Sequence, residues 1–326
     1  MPQSDKPEGD RPGIWIKETG SFFAGGRRVT LTGQPIQQVQ VSQNAPTRTV
    51  DMNGENITGQ CYVQYLRQEA PGFDTPLMFW HGGSMTGATW ETTPDGRPGW
   101  QNFFLQAGFD TFVCDAVERG RAGWSPFPQI YTDAPVFRTL NDVWAMFRFG
   151  PPEGYSPDAA ARRPFPGVRF PLGSLDGFGS QFVPRWTTHA EMTLAAYYDA
   201  LRRTGPVWLI AHSQGGHLAL DAAATHPEFF KGVVIIEPAS VPRGTGRAAR
   251  VPHLLIWGDN LNEHALWRSY RAKADQYADQ LRSEGGEVEI LDLPAEGITG
   301  NTHALMMDDN AEQIAARILD WIKKTG

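Results

Sequence analysis

The sequence predicts an α/β fold built on a mostly parallel, doubly wound sheet, and three observations predict it. Seven short apolar runs rich in Val, Ile, Leu and aromatic residues recur from about Gln60 onward, and most do not alternate in polarity. Strands covered on both faces by helices read this way. Segments with helical periodicity lie between several of these runs, and Gly pairs such as Gly82-Gly83 and Gly215-Gly216 mark the turns that join them.

In chain order, Ile14 to Lys17, Ser21 to Ala24 and Arg28 to Leu31 read as short β segments, with Gly25-Gly26 as a hairpin turn. They form an N-terminal antiparallel β extension. The apolar runs follow at Tyr62 to Leu66, Leu77 to Trp80, Thr111 to Cys114, Val207 to Ala211, Val233 to Ile236, Leu254 to Trp257 and Val288 to Leu291. A helix from about His189 to Arg203 places Ala190, Leu194, Tyr197 and Leu201 on one stripe, and Thr188 with Glu191 makes a capping box. The last helix, about Asn310 to Lys324, aligns Ile314, Ile318, Trp321 and Ile322, with Asp308 and Asp309 at its positive start and Lys323 and Lys324 at its negative end. The stretch from about Trp124 to Trp186 breaks the alternation: it holds ten of the 25 prolines and one helical pattern, Leu140 to Phe149. It reads as a cap inserted in a single domain spanning residues 1–326, since no repeat or long polar linker divides the chain.

Composition narrows the function. The 326 residues are 40 % apolar and 20 % charged, and no apolar run approaches the roughly 18 residues of a membrane helix. Disordered, coiled-coil and membrane-spanning readings are excluded. A net charge of −7 offers no electrostatic footprint for nucleic acid or an anionic membrane, so a small-molecule partner is expected. Monomer and homodimer both fit. Cys61 and Cys114 lack CxxC spacing and read as two buried thiols rather than a zinc ribbon or disulfide framework. No cofactor or metal is expected. Met1 to Asp10 shows neither a basic nor an apolar leader region, which reads as cytoplasmic, or as periplasmic or secreted if a leader has been removed.

The chemistry concentrates at Val207-Trp208-Leu209-Ile210-Ala211-His212-Ser213-Gln214-Gly215-Gly216, a buried strand passing through a tight turn into a helix. A serine at such a turn is held strained, with small residues needed two before and two after it, here Ala211 and Gly215. Ser213 is therefore the candidate nucleophile. It needs a histidine base oriented by a carboxylate. Of eight histidines, His303 alone lies in a Gly-rich loop between the last strand and the last helix. Glu237 and Asp259, each following a strand, compete for the third role. Asp259 follows Gly258, where aspartate often only stabilises a turn; Glu237 ends an apolar strand, where an ionised carboxylate needs a cationic or hydrogen-bonded partner. The balance favours Glu237. Backbone N–H groups of Gln214 and of Gly83, in the turn His81-Gly82-Gly83-Ser84, are placed to hold an oxyanion. His81 reads as structural, Arg119 and Arg121 as a solvated face in preference to partners of carboxylates, and Trp186 and Ser84 as substrate-facing.

The HGG turn, the AHSQGG elbow, the later strand-end acid and the final-loop histidine resemble, in their order, the α/β-hydrolase family from about Leu77 to the C-terminus. Within it the sequence is most similar to a bacterial carboxylesterase group with a glutamate as catalytic acid. The similarity rests on Gly20-Ser21-Phe22-Phe23, Thr86 to Arg97, Phe147-Arg148-Phe149-Gly150-Pro151, Val183-Pro184-Arg185-Trp186, His212-Ser213-Gln214, Glu237-Pro238 and Gly300-Asn301-Thr302-His303. That resemblance implies Ser213, Glu237 and His303 as a triad and Gly83 and Gln214 as oxyanion donors. The chain departs from it where Gly83-Ser84 replaces an adjacent cysteine pair, so no redox role or rigidity carries over.

The resulting expectation is a metal-free serine carboxylesterase. Thirteen aromatic residues between 124 and 186 suggest an apolar pocket for a hydrophobic acyl or aryl group, with weaker activity on charged substrates. The same machinery would also serve an amidase, carbamate hydrolase or lactonase, and a non-catalytic hydrolase-fold binding protein is the reading from another class.

Overall fold

The computed structural model describes residues 13–326, so the Met1 to Asp10 stretch read for a leader lies outside the described residues. Ten strands and eight helices follow one another: β1 Ile16–Leu31, β2 Gln37–Val39, β3 Arg48–Val50, β4 Gly54–Gln68, β5 Leu77–Trp80, α1 Ala88–Glu91, α2 Trp100–Gln106, β6 Thr111–Asp115, α3 Leu140–Met146, α4 Leu175–Gly179, α5 Ala190–Thr204, β7 Val207–His212, α6 Gln214–Thr225, β8 Phe230–Ile236, β9 His253–Trp257, α7 Ala265–Ser283, β10 Val288–Asp292 and α8 Ala311–Thr325. Eight strands form one sheet in the order β1-β4-β6-β5-β7-β8-β9-β10. The pairs β1–β4 and β4–β6 are antiparallel and all others in this sheet parallel. This is the α/β-hydrolase arrangement, a mostly parallel sheet with an antiparallel entry at one edge.

The apolar runs fail to alternate because both faces of the sheet are covered. Met78 and Trp80 of β5 pack with Tyr197 of α5, Leu218 of α6 and Trp267 of α7 in one cluster. Leu77 and Phe79 point the other way, to Phe104 of α2 and Ile318 and Trp321 of α8. Each fully buried side chain of this size contributes ~1.5–3 kcal/mol, so neither face can be polar without losing the layer above it. The catalytic elbow predicted from sequence thus sits at the end of β7, the strand between β5 and β8 in mid-sheet.

Three local expectations are corrected. Gly25-Gly26 does not close a hairpin: β1 runs on through it, with Gly25 opposite Gln60 and Arg27 opposite Thr58 on β4. Both glycines have positive φ, and a Cβ on Gly25 would lie 2.6 Å from the Ala196 Cα of α5. They bend a long strand beneath a helix. The Thr188–Glu191 capping box is absent, because α5 starts at Ala190 and its N-cap is His189, which makes no side-chain cap bond. The His189 ring instead stacks on Trp186 and approaches Glu118 Oε2 at 3.3 Å. Asp308 does not serve the start of α8 either; it is buried and turned toward Asn301 and Thr302.

The 124–186 segment contains α3, α4, short 3-10 turns and one bridge between Val136 and Arg185. Its Val143, Trp144, Phe147, Phe149, Phe170, Leu175 and Phe178 join the cluster on the α2 and α8 side of the sheet. The proline-rich stretch is therefore packed by aromatic side chains into the same core rather than folded apart from it.

Candidate active site

Ser213 lies between the last residue of β7 and the first of α6, with φ 53° and ψ −113°. That strained geometry is tolerated because the neighbouring backbones come close. A Cβ on Gly215 would meet the His81 carbonyl oxygen at 2.5 Å, and one on Gly82 would meet the Ser213 Cβ at 3.2 Å. The backbone also fixes the serine: its N–H donates to the Ile236 carbonyl at 2.9 Å, and its carbonyl accepts from His217 and Ala239 at 3.1 Å each.

Glu237 follows β8 directly, with φ 42°, and is fully buried. Oε2 accepts from His303 Nδ1 at 2.5 Å; Oε1 accepts from the Gly258 N–H at 2.8 Å and from Arg148 Nη2 at 2.5 Å. Burial alone would raise its pKa, but the Arg148 charge and the His303 bond outweigh burial and hold it at about 2. Glu237 is an ionised acceptor at neutral pH. Asp259 takes a different place: Oδ2 accepts from the Gly300 N–H at 2.7 Å, bracing the loop that carries His303.

His303 is held on every side. Its N–H donates to the Phe147 carbonyl at 3.0 Å, and its own carbonyl accepts from His212 Nε2 at 2.9 Å. The ring packs against Trp267 at 4.2 Å and Phe147 at 4.8 Å between centroids. Burial, helped by Arg148 and Arg138, lowers its pKa to about 4 despite the opposing pull of Glu237, so the imidazole is neutral at pH 7. With Nδ1–H committed to Glu237, Nε2 is the basic nitrogen. The preceding Asn301 and Thr302 are pinned by Asp308, whose Oδ2 accepts from Thr302 N–H at 2.8 Å and Asn301 Nδ2 at 2.9 Å. Burial pushes the Asp308 carboxyl up to about 7 against those donors.

Ser213 and His303 open on one cleft of about 280 Å³, walled by Val136, Met146, Phe147, Leu266, Trp267 and Tyr270, with Arg138, Asp142 and Arg185. Among the described residues no hydrogen bond joins Ser213 Oγ to His303. Gln214 opens α6, so its N–H has no acceptor within the helix. Gly83 lies beside it, since a Cβ there would stand 3.2 Å from Gln214 Oε1. The arrangement keeps a neutral imidazole at His303 paired with an ionised Glu237, on the cleft that Ser213 also lines.

His81 is structural as expected: Nδ1 donates to the Gly82 carbonyl at 2.8 Å and Nε2 accepts from Ala116 N–H at 3.0 Å. Three other readings fail. Trp186 does not face the cleft; its ring is buried among Trp124, Tyr131 and His189, and its N–H donates to the Asp133 carbonyl. Ser84 is fully buried at φ 60° and lines no part of the cleft. Arg119 is 3 % exposed and paired with Glu118, so it forms no solvated face. Arg121, 35 % exposed, binds Asp115 at 2.7 Å.

The residue that sequence reasoning missed is Arg148. It stands 89 positions from Glu237; the sequence shows it within the Phe147–Pro151 stretch and shows that a buried carboxylate demands a cation, but nothing local joins the two. Both cysteines are free and buried. Among the described residues no group of three or more His, Cys, Asp or Glu is arranged to hold a metal, and no helix is long and apolar enough to cross a membrane.

Residues 75–277 match the family model described as the alpha/beta hydrolase fold. A solved structure described as a novel bacterial esterase is similar over 98 % of this chain and 99 % of its own, at 30 % identity and a TM-score of 0.79. A protein of Fungal sp. (strain ATCC 74256), named probable secreted lipase phiG, is 27 % identical over 83 % of this chain and 87 % of its own length.

Proposed function

Because the chain belongs to the α/β-hydrolase family, we propose that it is a serine carboxylesterase acting through Ser213, His303 and Glu237 on small-molecule esters. The observation that carries this reading is the chain of contacts from Arg148 through Glu237 to His303, ending on the cleft that also exposes Ser213. The names of the bacterial esterase and the fungal lipase support the choice of an ester bond.

Ser213 Oγ attacks the ester carbonyl carbon while His303 Nε2 takes its proton. The oxyanion rests between the N–H groups of Gly83 and Gln214. Collapse breaks the ester C–O bond, His303 returns the proton to the departing alcohol, and the acyl group stays on Ser213. Water then attacks with His303 again as base, and the carboxylic acid leaves. Glu237 keeps Nδ1 protonated and stabilises the imidazolium throughout. The 124–186 segment serves as the cap, and the walls of Phe147, Trp267, Tyr270 and Leu266 suit a hydrophobic acyl or aryl group.

Turnover of p-nitrophenyl acetate and butyrate tests the proposal. Ser213→Ala should lower kcat by about 10⁴-fold or more, as expected when triad members act as a unit. Unchanged turnover in that variant would end the mechanism, and matched amides, carbamates and lactones hydrolysed faster than esters would move the activity to another bond.

A further inference from the structure

The cleft that exposes Ser213 and His303 also contains a guanidinium that no carboxylate answers. Arg185 reaches it from the bridge with Val136, whose two backbone hydrogen bonds are 2.7 and 3.0 Å long. Its head lies against the HGG turn: a Cβ on Gly83 would stand 3.2 Å from Arg185 Cζ. Its Nε is buried and without a hydrogen-bond partner. Among the described residues no acidic oxygen comes within ion-pair distance of it.

The neighbouring acids are already committed to other arginines. Arg138 and Arg119 both act on Arg185, and each already has its own acid, Asp142 at 2.6 Å and Glu118 at 3.3 Å. Arg148 is committed to Glu237. Asp142 lines the same cleft and also acts on Arg185, but it is held by Arg138, so Arg185 is a half-buried cation with no acid of its own, and such a charge is costly unless something pairs with it. The planar fork of a guanidinium fits a carboxylate through two parallel N–H bonds. Facing it are the apolar walls of Phe147, Trp267 and Leu266.

We propose that Arg185 is a specificity-determining residue that docks a carboxylate carried by the acyl part of the ester, so that half-esters of dicarboxylic acids are preferred substrates. The inference rests on the esterase reading above. It also departs from part of the expectation from sequence, since the aromatic count predicted weaker activity on charged substrates and an anionic acyl group is the exception that Arg185 would admit.

The test pairs monoethyl adipate with the neutral ethyl hexanoate in wild type, Arg185→Gln and Arg185→Lys, and adds melting curves with and without adipate at fixed ionic strength. In Arg185→Gln the kcat/KM ratio of half-ester to neutral ester should fall about tenfold or more, mainly through KM, and Arg185→Lys should restore part of it. Adipate should raise the Tm of wild type and not that of Arg185→Gln. Equal losses on both esters, or a wild-type Tm indifferent to adipate, would overturn the proposal. If neither ester turns over but adipate still raises Tm through Arg185, the esterase reading fails and the anion site stands.

Discussion

Removing the Arg148 guanidinium should damage both stability and catalysis, in amounts the structure sets. Arg148 and Glu237 are 1 % and 0 % exposed, and their contact is one of three on the carboxylate. In Arg148→Met the carboxylate keeps the Gly258 N–H and His303, but no full positive charge. Breaking one side of a buried pair costs ~3–5 kcal/mol, and the lost Arg148 Nε bond to the Asp259 carbonyl, 2.7 Å long, adds about 1 kcal/mol. Part of that cost is relieved if Glu237 takes a proton. Its pKa, held at about 2 against a usual 4.5, makes its stabilising contribution fully present above 4.5 and lost as pH falls toward 2. Without Arg148 the folded carboxyl no longer resists protonation, so less stability is lost as pH falls, and a protonated Glu237 no longer supports the His303 imidazolium. Urea denaturation at pH 7 and pH 4 should therefore show a destabilisation of about 4 kcal/mol at pH 7 and a smaller one at pH 4, because the variant gives up less stability than wild type as Glu237 takes a proton. The double variant Arg148→Met/Glu237→Gln should be more stable than Arg148→Met alone, because the orphaned charge is gone. An Arg148→Met protein within about 1 kcal/mol of wild type, with an unchanged pH profile, would refute the reasoning.

Two further outcomes follow from single residues. His303 must be neutral to act as base and its pKa is lowered to about 4, so kcat/KM on a neutral ester should stay level from pH 7 down to about 5 and fall only below it; a midpoint at the ordinary 6.5 would contradict this burial. Gly25→Val places a β-branched residue at φ +72° against the Ala196 Cα, and thermal unfolding should show a loss of about 1–3 kcal/mol, while a neutral result would mean that β1 and α5 are not packed as described.

What the sequence discloses is whatever is local. The strand from Val207 through the elbow to Gly216 is legible because a run buried on both faces, a strained serine and small flanking residues are neighbours in the chain. His303 is legible because one Gly-rich loop separates the last strand from the last helix. Gly25-Gly26 misleads because positive φ at two glycines marks a bend beneath a helix as readily as a hairpin turn. Which of the adjacent Arg185 and Trp186 faces the cleft is decided by the Val136 bridge, 49 residues away in sequence, and no local pattern encodes it. Arg148 is hidden for the same reason. Glu237 shows that it needs a partner, and only the fold of the 124–186 segment brings one.

A fluorophosphonate probe tests the central claim most directly, since it reacts only with a serine made nucleophilic by its surroundings. Intact-mass and peptide analysis of the folded protein should find one adduct, on Ser213, with labelling slowed strongly in His303→Ala. A folded protein that stays unlabelled, or one that carries its adduct on another serine, would contradict the account.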